Sequence, residues 1–244
     1  MKKSIVLLSI LFVFITSCTK HEKSNKENPI DKNLAWVKKT YYEKSGALKS
    51  EISIKNKKKN GPAKEYYPTG ELRTLVNYVD NIKQGETIWY YKNGNPYRVT
   101  TYVDGKMEGI RKIYYQSGKL QAEIPYIKGE AQEGLIEYDR NGNLIKNYPK
   151  LVFRSENLIK TKSQYIIYFY LSDKSKNVKY YQEVKNDLGN LHLNHILSKN
   201  GQGKLELQVP RASNERHTIT IIAKTESKLG NPLIIKSNYD FVLN

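Results

Sequence analysis

Cysteine is nearly missing from this chain: Cys18 is the single one among 244 residues, so no disulfide can form within it and cysteine-built zinc sites are excluded. Histidine is scarce as well, at His21, His192, His195 and His217. His192 and His195 lie three apart in a segment that reads as a strand, where residues at that spacing face opposite ways, so no metal site is expected. No Gly-x-Ser-x-Gly nucleophile turn occurs, and Asp80, Asp104 and Asp139 fall near expected hairpin ends, where capping of the backbone accounts for them. No catalytic residue and no cofactor is therefore expected. Acidic residues are outnumbered, 24 against 41 basic ones, for a formal charge of +17; such a balance favours anionic partners. Long apolar runs are also lacking. The run from Ile5 to Ile15, broken by Ser9, is far short of the ~18 residues a spanning helix needs.

Met1-Lys2-Lys3 is a basic start to that run and a polar segment follows it, so residues 1–17 read as a cleaved signal peptide whose loss lowers the charge by two. Ile15-Thr16-Ser17-Cys18 resembles the lipobox of bacterial lipoproteins. The resemblance implies a diacylglyceryl group on the Cys18 thiol and further acylation, such as palmitate, of the new amino terminus. Each buried methylene contributes ~0.8 kcal/mol, and two or more chains hold a protein stably at a membrane. Thr19, rather than aspartate, after the lipidated residue implies an outer-membrane anchor in a two-membrane bacterium. Residues 18–33 are polar, charged and aperiodic, and read as a flexible tether.

From residue 34 to 148 a period dominates. Glycines at Gly46, Gly70, Gly94, Gly118 and Gly142 recur every 24 residues, and Tyr42, Tyr66, Tyr90, Tyr114 and Tyr138 keep the interval. A second glycine recurs at Gly61, Gly85, Gly109 and Gly134, so each unit is read as two turns and two strands, a hairpin. Leu72, Thr74, Val76 and Tyr78 alternate with Glu71, Arg73, Leu75 and Asn77, as a strand with one better-buried face requires. Pro96 replaces a leucine and predicts a locally open or edge position. Gly134 comes one residue late, and a bulge or longer turn near Gly129-Glu130-Ala131 is expected to absorb the difference.

Tyrosine supplies 20 of the aromatic residues, in pairs at Tyr41-Tyr42, Tyr66-Tyr67, Tyr90-Tyr91 and Tyr114-Tyr115. One reading is cross-strand ladders that stiffen the sheet. The other is an exposed stripe of Tyr67, Trp89, Tyr91 and Tyr115, interleaved with lysines, that binds a partner. Lys57, Lys58 and Lys59 form the densest charge; they read either as a solvated hairpin tip or as a contact with anionic lipid. Basic and aromatic residues together raise nucleic acid, but an exported protein points instead to headgroups, acidic glycans or an acidic protein.

The segment from Gly70 to Gly94, GELRTLVNYVDNIKQGETIWYYKNG, resembles the bacterial variant of the MORN repeat, and the resemblance extends over about residues 41–148. It implies a scaffolding or contact-making hairpin array without catalytic residues; proteins with this variant are often labelled antitoxin components. After Asn147-Tyr148-Pro149-Lys150 the period stops and about seven alternating runs follow, which predicts an immunoglobulin-like or fibronectin type III-like β-sandwich over 149–244. The expectation is an all-β envelope lipoprotein: an antiparallel sheet of about four hairpin repeats and a small sandwich, acting as a non-catalytic binding or scaffold module. An antitoxin-like immunity protein and an envelope enzyme are the alternatives.

Overall fold

The computed structural model describes residues 35–209 and 214–244; Cys18, the signal peptide and the tether lie outside the described residues. The chain is all-β. Strands β1 (Trp36–Tyr41), β2 (Leu48–Lys55), β3 (Lys58–Tyr66), β4 (Leu72–Val79), β5 (Ile82–Tyr90), β6 (Pro96–Val103), β7 (Lys106–Met107), β8 (Gly109–Tyr114), β9 (Leu120–Ile127), β10 (Glu130–Ala131), β11 (Ile136–Tyr138) and β12 (Leu144–Ile145) form one antiparallel meander.

Two kinds of turn alternate along its two margins. At one margin the chain reverses through two residues of positive φ: Asn56-Lys57, Asp80-Asn81, Asp104-Gly105 and Lys128-Gly129. That conformation matches the twist of the flanking strands. At the other margin Tyr67 O accepts from Gly70 N (2.9 Å) and Tyr67 N donates to Glu71 O (2.8 Å), a type I turn closed by a left-handed glycine. The pattern recurs at Tyr91, Tyr115 and Asp139.

The second glycines are therefore not turns. Gly61 and Gly85 lie inside β3 and β5, Gly109 opens β8 and Gly134 precedes β11, each with positive φ. The pairing of β2 with β3 slips between Lys59 and Ala63, and that of β4 with β5 between Lys83 and Thr87, with Gly61 and Gly85 inside the slips, so these glycines serve bulges that bend the returning strand. Gly61, Gly85 and Gly109 each face a tyrosine on the next strand, Tyr78, Tyr102 and Tyr126.

Three further expectations need correction. Pro96 is not at an edge; it is the first residue of a central strand, opposite Tyr90, a place where a missing amide costs little. The late Gly134 is absorbed after the turn, in the segment 132–135 between β10 and β11, where Gln132 N donates to Pro125 O. Tyr42 is out of phase structurally: Tyr41 pairs with Leu48 as Tyr66 pairs with Leu72, because the first turn is one residue longer and Tyr42 N reaches Ala47 O.

The rest is a sandwich. Strands β13 (Leu151–Leu158), β14 (Gln164–Leu171), β17 (Ser198–Lys199) and β18 (Gln202–Gln208) form one sheet; β15 (Lys179–Lys185), β16 (Leu191–Ile196), β19 (Arg216–Glu226) and β20 (Pro232–Val242) form the other. One helical turn, α1 (Ile159–Lys162), joins β13 to β14. Inward residues of both sheets, among them Ile167, Phe169, Leu171, Tyr180 and Ile221, make one buried core. The sandwich also packs on the meander: Ile113, Ala122, Ile124, Tyr126 and Leu135 share a second core with Leu233. Beside it Glu137, 1% exposed, accepts from Ser227 Oγ and Asn231 Nδ2, both at 2.6 Å.

Candidate functional site

Alternation and register divide the meander into two faces. Thr74, Trp89, Arg98, Ile113, Ala122 and Glu137 follow one another across the strands, on the inner face that meets the sandwich. Leu75, Ile88, Val99, Lys112, Glu123 and Ile136 form the adjoining row on the outer face.

The tyrosine pairs build a ladder along one margin. Tyr42 Oη donates to Tyr66 O (2.7 Å), Tyr67 Oη to Tyr90 O (2.7 Å), Tyr91 Oη to Tyr114 O (2.9 Å) and Tyr115 Oη to Tyr138 O (2.8 Å). Arg73 lies over the Tyr67 ring, and Tyr97 meets Tyr91 edge-on at 5.2 Å. Arg73 and Tyr97 alternate with Thr74 and Arg98, so these tyrosines belong to the outer face. Trp89 is on the inner face, with the Arg98 guanidinium 3.9 Å from its ring centre. The four aromatics of the expected stripe are thus split, and the three tyrosines are half-buried with their hydroxyls engaged. Tyr66 Oη donates to Glu51 at 2.8 Å, which holds that carboxyl below its ordinary value, helped by Lys39.

The lysine run is tied to the next hairpin. Lys57 is exposed in its turn and Lys58 lies 3.8 Å from Asp80. Lys59 N donates to Asn81 Oδ1 while Lys59 O accepts from Asn81 N, and its ammonium sits 4.9 Å from the centre of the Tyr78 ring. One repeat on, Gly105 N donates to Lys83 O and Lys83 lies 5.0 Å over Tyr102; beyond that, Gly129 N donates to Met107 O and Arg111 lies 4.4 Å over Tyr126. A cation therefore covers a tyrosine in three successive units on the inner face.

The profile of the family described as the MORN repeat variant matches residues 59–80, 83–104 and 107–128, each match opening on the strand just after a two-residue turn. The chain carries three MORN-variant repeats. A search among curated proteins finds no match. Among solved structures, a tetra-tandem repeat in the extending region of a large adhesion protein is 12% identical, with a TM-score of 0.23. The likeness covers 82% of this chain and spans 58% of that one.

Outside the MORN-variant repeats, the histidines stay apart: His195 meets Tyr181 edge-on at 5.3 Å, His192 is exposed opposite Val184, and His217 stacks on Phe241 at 5.6 Å. Among the described residues no cluster of three metal-ligating side chains occurs. An open groove of about 1060 Å³ runs between β10 and the sandwich, past Glu130, Lys179, Tyr181 and Lys224. What the sequence reading passed over is the pair Arg98 and Arg111. Their signal was available: both are charges at the alternation phase of the better-buried face.

Proposed function

We propose that the MORN-variant sheet is a non-catalytic binding module, held at the cell envelope by lipid on Cys18, whose inner face engages an acidic glycan. The observation that carries this reading is a cation over each of three tyrosines that keep the repeat interval, Lys59 on Tyr78, Lys83 on Tyr102 and, from a different position in its unit, Arg111 on Tyr126. A ring under a cation fixes its place while leaving charge for a ligand, and a 24-residue repeat sets successive charges at regular steps, as a polymer with regularly spaced anions demands. The excess of basic residues supports the same sign of partner.

Two experiments test it. On immobilised polygalacturonate the protein should be retained in a salt-dependent way, with Lys59→Gln/Lys83→Gln eluting at clearly lower salt. Equal elution of the two proteins, or equal retention on neutral dextran, rejects the reading. For the anchor, Cys18→Ser should move the protein from the membrane to the soluble fraction and remove the lipid mass from the amino-terminal peptide. An unchanged membrane fraction overturns it.

A further inference from the structure

We infer that Arg98 and Arg111 form a binding site for a single phosphate monoester on the inner face, at the border where the sandwich stops covering the sheet. The inference deepens the reading of an anion-binding face and rests on it; it shares Arg111 with that reading and adds Arg98, and it does not use Lys59 or Lys83.

Arg98 pairs with Ile113, and Arg111 stands two residues before Ile113 on the same strand. The two side chains therefore leave one face of adjacent strands as diagonal neighbours, roughly 7–8 Å apart at the backbone and within reach of long side chains. Each is held by a ring. Arg98 lies on Trp89, and Arg111 lies on Tyr126, donates to Tyr126 Oη at 2.8 Å and touches Met107 Sδ. Neither forms an ion pair among the described residues, although carboxylates pair with Lys39, Lys58, Lys112, Arg154, Lys204, Lys224 and Lys236. Burial, and next the Arg111 charge, hold the Arg98 pKa below its ordinary value. Two like charges are thus kept side by side, half out of water, with no protein anion between them.

The polar atoms around them point the same way. Thr87 and Thr100 face each other across β5 and β6, 1% and 2% exposed. Thr87 Oγ1, Thr100 Oγ1, Arg98 Nε and Arg111 Nε all lack a hydrogen-bond partner. Buried groups of this kind ordinarily find one, so four in one patch mark a place completed by something else. A carboxylate offers two oxygens, which one guanidinium fork satisfies; a phosphate monoester offers three and close to two charges, which suits two forks and two hydroxyls. The apolar wall of Ile113 and Ile124 lowers the local dielectric and strengthens the attraction.

The test uses the tryptophans, of which the chain has two, Trp36 and Trp89. In the full chain carrying Trp36→Phe, Trp89 emission reports on the Arg98 site. Titration with inorganic phosphate, at ionic strength held constant with sodium chloride, should give a saturating change, and Arg111→Lys should raise the half-saturation concentration at least tenfold although the charge is kept. Thr100→Val gives a signature of opposite signs: a higher melting temperature, since an unpartnered buried hydroxyl is removed, together with weaker phosphate binding. A response linear in phosphate and equal to that of chloride overturns the site, as does tight binding retained in both Arg111→Lys and Thr100→Val. Glucose 6-phosphate and phosphatidic acid vesicles, run as further arms, separate a soluble or glycan-borne phosphate from a headgroup. Phosphate binding preserved in Lys59→Gln/Lys83→Gln with glycan retention lost keeps this site while localising the glycan contact elsewhere. Glycan retention preserved when phosphate fails to saturate removes the site and leaves the broader reading standing.

Discussion

A tyrosine hydroxyl given to the backbone of the next hairpin ties two units that share no turn. Tyr91 does this at 2.9 Å to Tyr114 O, while its neighbour Tyr97 meets only its ring. Tyr91→Phe should cost about 1 kcal/mol in urea unfolding, because the carbonyl loses its partner, and Tyr97→Phe should cost nothing measurable. Equal effects would show that the rings, not the hydroxyls, hold the ladder. Two other tyrosines govern alkaline stability. Burial pushes Tyr148 and Tyr180 up to about 12, the Glu137 charge adding to the first and Asp173 to the second. An unfolded tyrosine ionises near 10, so both groups stabilise the fold fully below that pH and lose their contribution between about 10 and 12. Urea midpoints should therefore fall across that window, and Tyr180→Phe, which keeps the ring but cannot ionise, should flatten the fall.

Elements of this sheet are shaped by where the backbone turns left-handed. Gly85 has φ +75° with open space where a Cβ would sit, so Gly85→Ala isolates backbone strain from packing; about 1–2 kcal/mol of lost thermal stability is expected, without change in the β-sheet circular dichroism. The hairpin period, the inward alternation of β4 and the run of alternating strands after Lys150 were all legible in the sequence, because glycine spacing and period-two patterning are local signals. The role of the second glycine was not. A left-handed bulge and a left-handed turn demand the same residue, and only the Asn56-Lys57 type of tip, beginning five or six residues earlier, tells them apart. Nor could spacing reveal that Tyr41 and not Tyr42 keeps the structural phase, since a one-residue change of turn length leaves the glycine interval untouched. Of the candidate stripe, adjacency in sequence placed Trp89 beside Tyr91, but the bulge between Trp89 and Tyr90 resets the alternation and sends them to different faces.

At the scale of the molecule, the two β units are joined by a shared core and one buried carboxylate. Removing the carboxylate leaves Ser227 Oγ and Asn231 Nδ2 without their acceptor, so Glu137→Ala should cost about 1–3 kcal/mol for each group stranded and raise amide exchange at Ser227 to Asn231 before it affects β2 to β5. Unchanged exchange in that turn would mean that the shared core at Leu233 and the contacts of Glu133 with Lys236 and Glu130 with Lys224 hold the units together without the carboxylate. The meander has one further consequence. Strands stack about 4.8 Å apart, so a 24-residue unit, being two strands, advances the sheet by roughly 10 Å. A whole unit added between β5 and β6 would renew every tyrosine bond and every tip contact in register, leaving Trp36 and the sandwich chemically as they are but one step further apart. The protein is thus graduated like a ruler, its reach adjustable in fixed increments by gene duplication and intolerant of any fraction of one.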